Sequence, residues 1–354
     1  ESVRAIGNIV RALLDMIVEE KDAAKKEEYR TDADAIEGYL AERFSGSADK
    51  IVMNDAGNAV ITIASTEAER HENARADWLF TEFIVTYRNH ATAPTLALGK
   101  GMEALKAERW NDAIKYFGLL ETYYTNSPHY ASALAQLSYC HGKQGNSAEE
   151  IAYINKYLPI ETVKIRRLQA KMQLAQMYQR DGLAIQAALN ELGTNAPPER
   201  VEEDEKHGSA QIIRALQQFT GFSKEAQAAI EDPSTPKDDV EKYKFLREAA
   251  LYLVGDCWGR LTRPVARLKM YRERAAASYE AYLTDYPDGK YSKVAYVKLG
   301  TIYTALGEMA KSKDALDRLS QKYPDSDEAK NAKPRLAKNL IEMGMKREGA
   351  EIYA

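Results

Sequence analysis

The stretch "LTDYPDGKYSKVAYVKL" (Leu283–Leu299) returns in similar form 37 residues later as "SQKYPDSDEAKNAKPRL" (Ser320–Leu336). In both copies a Tyr-Pro-Asp element separates two runs whose apolar residues lie three or four positions apart, which is the spacing of an amphipathic helix. Proline cannot continue a helix, and an Asp or Ser beside it caps the helix that follows. The repeated element therefore predicts helix ends at a fixed interval, as in a chain of stacked helix pairs.

A recurring small residue gives the period of this repeat. It is flanked by Leu or Val and is followed three positions later by an aromatic or bulky residue. The successive intervals are 37, 37, 80, 45 and 37 residues, and the interval of 80 predicts one hidden, degenerate repeat with an insertion. The six small residues are Gly101, Ser138, Ala175, Gly255, Gly300 and Ala337.

Each unit contains the same order of helix signals. A glycine is expected to end the first helix, and a proline lies at or near the end of the second. The expected C-cap glycines are Gly145, Gly182, Gly307 and Gly344, and the prolines are Pro128, Pro159, Pro287 and Pro324.

The segment "ALAQLSYCHGKQGNSAEEIAYINKYLP" (Ala133–Pro159) resembles the tetratricopeptide repeat, or TPR. It departs from the family pattern at Glu150, where the family usually has Ala, and its period of 37 exceeds the usual length of about 34 residues. The resemblance covers roughly residues 93–354. It implies an all-α fold: a right-handed superhelical solenoid of about six helix pairs.

Residues 1–92 do not follow the repeat and are predicted to form a helical N-terminal cap. Its first helix carries a heptad-like apolar seam that either docks on the chain's own solenoid or mediates self-association. The β-branched residues of 50–63 surround a turn-like Asp-Ala-Gly-Asn, so the cap could include a small β-hairpin there. The solenoid is predicted at 93–354, with an insertion or soft hinge at 194–208. The seam residues are Val3, Ile6, Val10, Leu13 and Ile17.

Composition and motifs argue against several classes of function. The 49 basic and 53 acidic residues give a net charge of −4, which does not favour nucleic acid as a partner. The sequence has no metal-ligand spacing, phosphate loop or nucleophile motif, so we expect neither a cofactor nor catalysis. Cys140 and Cys257 are predicted to be buried packing thiols.

The family resemblance implies that the first helices of the pairs line a concave groove. Leu, Met and Tyr rimmed by Lys and Arg would suit an apolar or acidic peptide or helix. Alternatively, the N-terminal helix or a neighbouring subunit fills the groove. The predicted groove residues are Leu98, Met102, Leu105, Lys106, Tyr139, Lys143, Met172, Gln176, Arg180, Tyr252 and Arg260.

A basic run follows the fourth small residue. It would attract an anionic partner such as an acidic protein, a lipid headgroup or a glycan. Alternatively, it is a solvated helix face, or it pairs with the acidic segment Glu199–Glu205. The basic residues, besides Arg260, are Arg263, Arg267, Lys269, Arg272 and Arg274.

The stretch from Ala275 to Leu336 resembles the repeats of bacterial envelope proteins, such as the Tol–Pal-associated periplasmic coordinator and outer-membrane assembly lipoproteins. The resemblance implies a protein-interaction scaffold, a subunit of a periplasmic or envelope assembly. Because the sequence begins at Glu1 and not at Met, a mature or trimmed form is expected, and whether a signal sequence or lipid anchor preceded Glu1 is left open. A membrane is expected as a partner only through a lost anchor or a membrane-protein partner. The alternative is an accessory protein that binds a small molecule or lipid between the N-terminal region and the groove.

Overall fold

The computed structural model describes residues 2–47, 49–69, 73–192 and 197–353. The chain divides into two compact units, Glu1–Ile160 and Glu161–Ala354. Every regular element in the described ranges is a helix, so the prediction of an all-α fold is confirmed there. The predicted division between residues 92 and 93 lies inside the first unit and stays a prediction.

Short loops join the helices of both units. The helices of the first unit are α1 (Ser2–Glu19), α2 (Ala23–Phe44), α3 (Lys50–Glu69), α4 (Asn73–Thr86), α5 (Ala93–Lys106), α6 (Trp110–Tyr123), α7 (Tyr130–Lys143) and α8 (Ser147–Tyr157). Those of the second are α9 (Lys164–Leu192), α10 (Pro198–Glu231), α11 (Lys237–Arg260), α12 (Leu268–Asp285), α13 (Ser292–Leu306), α14 (Met309–Lys322), α15 (Asp327–Glu342) and α16 (Lys346–Tyr353).

From Ala93 onward the described helices form the predicted six pairs, α5/α6 to α15/α16. Three of the small residues mark the closest approach within a pair. A methyl group built on Gly101 would lie 2.4 Å from the ring of Phe117, and one on Gly300 would lie 2.4 Å from Leu316. On Gly255 the same group would meet the ring of Tyr279 at 2.8 Å. The first helix of each of these pairs therefore needs glycine where the large side chain of the second helix packs.

Serine replaces this glycine contact with a hydrogen bond in the α7/α8 pair. Ser138 donates its hydroxyl to the carbonyl of Glu150 at 2.8 Å, and in the α13/α14 pair Ser312 donates to the carbonyl of Gly300 at 2.7 Å. Glu150 and Ser312 each follow the small residue of their pair by 12 positions. Glu150, the departure from the family pattern, is buried, and its carboxylate lies against Gly142.

Tyrosines at the ends of second helices connect successive pairs. Tyr323 donates its hydroxyl to the carbonyl of Pro287 at 3.2 Å, and Tyr124 donates to the carbonyl of Ile84. In the Tyr323-Pro324 copy, proline therefore ends the helix and tyrosine bonds to the end of the preceding pair. Tyr286 of the other copy instead accepts a hydrogen bond from Arg247 of its own pair at 2.8 Å.

Three of the four predicted C-cap glycines are confirmed. Gly145, Gly307 and Gly344 have positive φ angles of 78°, 79° and 85°, a conformation that glycine adopts without steric cost. The prediction for Gly182 is wrong, because this residue lies inside α9. A Cβ there would lie 2.7 Å from the carbonyl oxygen of Gly208, so the absence of a side chain lets α9 and α10 approach each other closely.

The interval of 80 residues holds one long helix pair instead of a hidden repeat. Helix α9 has 29 residues and α10 has 34. The predicted insertion or hinge at 194–208 is mainly the first part of α10, whose N1 position is Pro198, a favourable place for proline. Residues 194–196 lie outside the described ranges, and the hinge as a mechanical feature stays a prediction.

The predicted hairpin at residues 50–63 is wrong, because this segment lies in α3. Its apolar residues recur at helical spacing, and Met53, Val60 and Ile63 are buried on one face. Burial of this face outweighs the strand preference of the β-branched residues. Gly57 does not form a turn; it lies in the helix, close to Phe83 and His90.

The N-terminal helix docks on its own unit, where α1 packs against α2 and α3. Ile17 is buried in a cluster with Ala33 and Ile63, while Ile6 and Leu13 are half-buried. The side chains of Val3 and Val10 lie outside the described part of the chain. Self-association through this seam stays a prediction.

One guanidinium faces three carboxylates among α2, α3 and α4. Arg75 forms ion pairs with Asp34 and with Glu37 at 3.4 Å, and its Nε lies 3.8 Å from Glu67. Glu37 and Glu67 are buried, whereas Asp34 is 53% exposed, so two carboxylates of the cluster are held away from water. Burial raises the pKa of the Glu37 carboxyl to about 7, although Arg75 opposes this shift.

We predict that Gly182→Ala destabilises the second unit. Alanine favours a helix over glycine by about 1 kcal/mol, but here its methyl group meets the backbone of Gly208 and Ile212. Overpacking of this kind costs about 1–3 kcal/mol, so a lower midpoint of thermal unfolding by circular dichroism is expected.

The matched control is Gly221→Ala in α10, where a Cβ would meet nothing within 4 Å. This change should raise the free energy of unfolding by up to about 1 kcal/mol. If both substitutions raise the midpoint of thermal unfolding, the close approach at Gly182 does not affect stability and the prediction is wrong.

The second prediction concerns pH. Because the pKa of Glu37 is about 7 in the folded chain and near 4.5 when unperturbed, the folded state binds the proton more tightly than the unfolded state. Stability from Glu37 should therefore be lost as pH rises from about 5 to about 8. Glu37→Gln should remove this loss and gain about 1–3 kcal/mol over wild type at the higher pH, as measured by thermal unfolding at each pH.

The control for this change is Glu42→Gln, an exposed carboxylate on the same helix. It should leave the pH dependence of wild type unchanged. Equal pH profiles for Glu37→Gln and wild type would contradict the prediction.

Candidate partner-binding groove

In the first unit, the predicted groove residues lie on α5 and α7, the first helices of their pairs. Leu98, Met102 and Leu105 are half-buried on α5 and follow one another at intervals of four and three residues. They therefore form an apolar stripe that is still partly open to solvent.

Tyr139 on α7 is the most exposed apolar member of this set, with 46% of its surface accessible. The ring of Trp110, at the start of α6, meets it edge-on with 6.1 Å between centroids. The ammonium group of Lys143 lies 5.3 Å from the centre of the same ring. Together, Trp110, Tyr139 and Lys143 make an aromatic platform with a cation beside it.

Trp110 is not among the groove residues predicted from the sequence. It is the first residue of α6, next to the turn that follows α5. An aromatic residue at this turn is the signal that could have identified it.

Two exposed lysines occupy equivalent positions in neighbouring pairs. Lys106 near the end of α5 and Lys143 near the end of α7 are one repeat of 37 residues apart. Two carboxylates near α5 are engaged by other cations: Glu103 pairs with Lys100 at 3.0 Å, and Asp112 pairs with Arg109 at 3.1 Å, while Glu108 in the following turn is exposed. Lys106 and Lys143 thus give this part of the groove a positive character.

The predicted groove residues on α9 have two different environments. Gln176 and Arg180 are exposed, and Arg180 pairs with Asp181 at 3.2 Å. Met172 is only 7% exposed and belongs to a core cluster with Leu168. The prediction that Met172 lines the groove is wrong, because this face of α9 packs into the core of its own unit.

A buried carboxylate connects α9 with α11. Asp256 accepts hydrogen bonds from Gln179 at 3.0 Å and from Arg260 Nε at 2.6 Å. Tyr252, one turn earlier, stacks on Tyr291 with 4.6 Å between ring centres. Arg260 and Tyr252 therefore have structural partners within the second unit.

The basic residues after α11 have mixed surroundings. Arg263 donates to Glu205 at 2.6 Å, which is the alternative pairing that the sequence suggested. Arg272 donates to the carbonyl of Ala305 at 3.1 Å. Arg267 and Lys269 are exposed at the surface of the second unit.

Each unit has a cavity between neighbouring helices. One of about 310 Å³ in the first unit is lined by charged residues that include Asp77, Lys100 and Arg109. One of about 460 Å³ in the second unit lies among α12, α13 and α14, over Leu283, Tyr296 and Leu299.

Other features bear on the function classes. Within the described ranges, no group of three or more His, Cys, Asp or Glu side chains is arranged to hold a metal ion. Of the helices that the structure describes, none has both the length and the hydropathy to span a bilayer. Cys140 and Cys257 are buried, as predicted, and burial raises the pKa of their thiols to about 11 and about 12.

Comparison with known proteins identifies one repeat directly. Residues 294–326, which include most of α13 and α14, match the model of the tetratricopeptide repeat family. Superkiller protein 3 of Schizosaccharomyces pombe is 33% identical over 89 residues, which is 25% of this chain and 6% of that protein. The match thus spans a small part of this relative's length.

Solved structures with similar helical arrangements were also found. A Rap protein in complex with competence and sporulation factor has 14% identity and a TM-score of 0.31, with 100% of this chain and 96% of that chain covered. A STAND protein with a tetratricopeptide repeat sensor, from Pyrococcus horikoshii, has 15% identity and a TM-score of 0.29, with coverages of 87% and 49%. The P58(IPK) TPR domain has 11% identity and a TM-score of 0.24, with coverages of 98% and 100%.

These TM-scores are too low to carry an argument about this chain. The family match rests on α13 and α14, where Gly300, Gly307 and Tyr323 have the positions and contacts described above. The chain therefore contains a tetratricopeptide repeat at residues 294–326, a repeat type that generally serves in protein-interaction scaffolds.

Proposed function

We propose that this protein is a non-catalytic scaffold that binds a segment of a partner protein along the groove of α5 and α7. The observation that carries this proposal is the platform of Trp110 and Tyr139, with its cation Lys143. An exposed tyrosine in contact with a half-buried tryptophan, near an apolar stripe, has the composition of an interaction hot spot, where Trp, Tyr and Arg dominate binding energy.

The groove chemistry favours a partner segment that is both apolar and acidic. Leu98, Met102 and Leu105 offer a surface to aliphatic or aromatic side chains. Lys106 and Lys143 offer two cations to carboxylates, and each exposed ion pair contributes about 0.2–1 kcal/mol. A short helix with apolar residues three or four apart and acidic residues beside them would meet both requirements.

The N-terminal region does not bury Tyr139, which keeps nearly half of its surface. This exposure favours an external partner over the chain's own helices as the occupant. The cavity of about 310 Å³ has Phe80 and Tyr116 in its lining, but five of its ten lining residues are charged, so it is not the apolar cavity that the small-molecule alternative requires.

The resemblance to bacterial envelope proteins leads us to place the scaffold in a periplasmic or envelope assembly. This placement rests on the Tyr-Pro-Asp repeat of residues 283–336 alone. Fractionation of the native cell, with detection of the intact protein in each fraction, tests it; recovery only with cytosolic proteins would contradict it.

Peptide selection tests the chemistry of the groove. Against a displayed library of random peptides, the wild-type chain should enrich sequences that combine apolar residues with Asp or Glu. Lys106→Glu/Lys143→Glu should shift this preference toward Lys or Arg, because like charges across an interface repel and opposite charges attract. The measurement is the composition of the enriched peptides, followed by affinity from fluorescence anisotropy.

The matched control is Lys21→Glu/Lys25→Glu, which makes the same change of charge at exposed positions near the start of α2. It should retain the preference for acidic peptides. An identical preference in all three proteins would reject the groove as the binding surface.

Tyr139→Ala should weaken binding of a selected peptide by about 10–30-fold, because truncation of an aromatic hot spot costs about 2 kcal/mol. The fold should be retained, since Tyr139 is 46% exposed. The control is Tyr39→Ala, which removes a tyrosine of 51% exposure from α2. Equal affinities of the two variants would contradict a role for the platform.

A further inference from the structure

The connection between α11 and α12 is longer than the other turns within pairs. It spans residues 261–267, whereas the turns of α5/α6, α7/α8 and α13/α14 span residues 107–109, 144–146 and 307–308. Its last three residues, Val265–Arg267, form a 3-10 turn that leads directly into α12. A short turn suffices to join two packed helices, so the extra residues are available for another role.

The base of this connection is fastened to α9 and α10. Thr262 donates to the side chain of Gln186 at 2.8 Å, and Ser209 donates to the carbonyl of Arg263 at 2.9 Å. Arg263 in turn donates to Glu205 at 2.6 Å. These hydrogen bonds fix residues 262 and 263 on α9 and α10, and the 3-10 turn that follows starts from this fixed position.

The tip of the connection exposes aliphatic side chains beside cations. Val265 is 64% exposed and Met270 is 36% exposed. Between them lie Arg267 and Lys269, and the side chain of Lys269 is 83% accessible. Exposed aliphatic groups are common on proteins, but here Val265 and Met270 lie within six residues of each other with two exposed cations between them, across the 3-10 turn and the first turn of α12, which makes this stretch amphipathic.

The charge of this surface is strongly positive. Residues 265–274 contain four cations and one carboxylate, Glu273, whose oxygen lies 3.9 Å from Lys269. Arg272 bonds to a backbone carbonyl, and Arg274 lies over the ring of Trp258. Neither contact neutralises the cation, so residues 265–274 carry a net charge of +3, beside the start of α10, whose Glu205 pairs with Arg263.

We propose that the surface of residues 265–274, which we call the α11–α12 tip, docks on an anionic membrane surface. The cations attract acidic lipid headgroups, and Val265 and Met270 enter the boundary between headgroups and acyl chains. An acidic peptide would also meet the cations, as acidic motifs do at Arg clusters, but its acidic side chains would give Val265 and Met270 no apolar partner. A membrane surface meets the cations and also takes up the aliphatic side chains.

Co-sedimentation with lipid vesicles tests this proposal. The full chain should bind vesicles of equimolar phosphatidylcholine and phosphatidylserine, and should not bind vesicles of phosphatidylcholine alone. Arg267→Gln/Lys269→Gln should lower the partition coefficient by about 30-fold, since each cation near such a surface contributes about 5-fold. Val265→Ser should lower it by about 5-fold, because an aliphatic side chain is lost from the interface. Raised salt should weaken binding of the wild type.

Two controls separate the tip from general effects. Lys330→Gln/Lys333→Gln removes the same charge from exposed positions on α15 and should bind vesicles as the wild type does. Tyr139→Ala, which tests the groove, should also bind as the wild type does, so the two proposals can fail separately.

Three results would overturn the proposal. They are failure of the wild type to bind the phosphatidylserine vesicles, equal binding to both vesicle types, and equal binding by wild type and Arg267→Gln/Lys269→Gln. A fourth outcome would also overturn it and would favour an acidic protein as the partner: binding of poly-glutamate that depends on Arg267 and Lys269, with vesicle binding that does not.

Discussion

The close approach of two helices at one small residue is the constraint on which the repeat depends. Gly101 and Gly300 leave space for Phe117 and Leu316, and a methyl group at either glycine would lie 2.4 Å from that neighbour. The second helix can therefore bury its largest side chain against the backbone of the first. Because protein interiors are close-packed, this fixes where each pair crosses, and the crossing in turn sets which residues face outward.

Tyrosines at the helix ends connect one helix pair to the preceding pair. Tyr323 bonds to the carbonyl of Pro287, and Tyr124 bonds to the carbonyl of Ile84. In each case a side chain at the end of one pair satisfies a backbone carbonyl at the end of the preceding one. Packing within pairs and hydrogen bonds between pairs thus act at different points of the same repeat.

Much of this fold could be predicted from sequence, because its signals are local. Gly145 and Gly307 occupy positions that need a positive φ angle, and the prolines act on their own helix. The errors occur where a distant contact decides the outcome. Gly182 looks like a cap but meets Gly208 across a helix pair, and the β-branched residues of 50–63 become helical because one face packs against the rest of the first unit.

The difference between local signals and distant contacts also limits what the sequence could predict of the candidate groove. Tyr139 and Lys143 follow from their place in the repeat, since their spacing sets the face on which they lie. The same repeat spacing places Met172 among the predicted groove residues. Met172 nevertheless packs into a core cluster, because the long α10 covers that side of α9. Trp110 lies at the start of a second helix, so its place in the repeat does not predict its contact with Tyr139, although an aromatic residue at this turn is a usable signal.

The paired length of α9 and α10 has a consequence for how such a chain can change over evolution. With 29 and 34 residues, they are about twice as long as α14, which has 14 residues. If one helix alone became longer, the apolar stripe on its added turns would be exposed to water. Additions to α9 must therefore be matched by additions to α10, in steps of about 3.6 residues. Insertions and deletions in descendants of this sequence should therefore occur as coupled events on both sides of residues 193–197, and a lone gap in either helix should be rare.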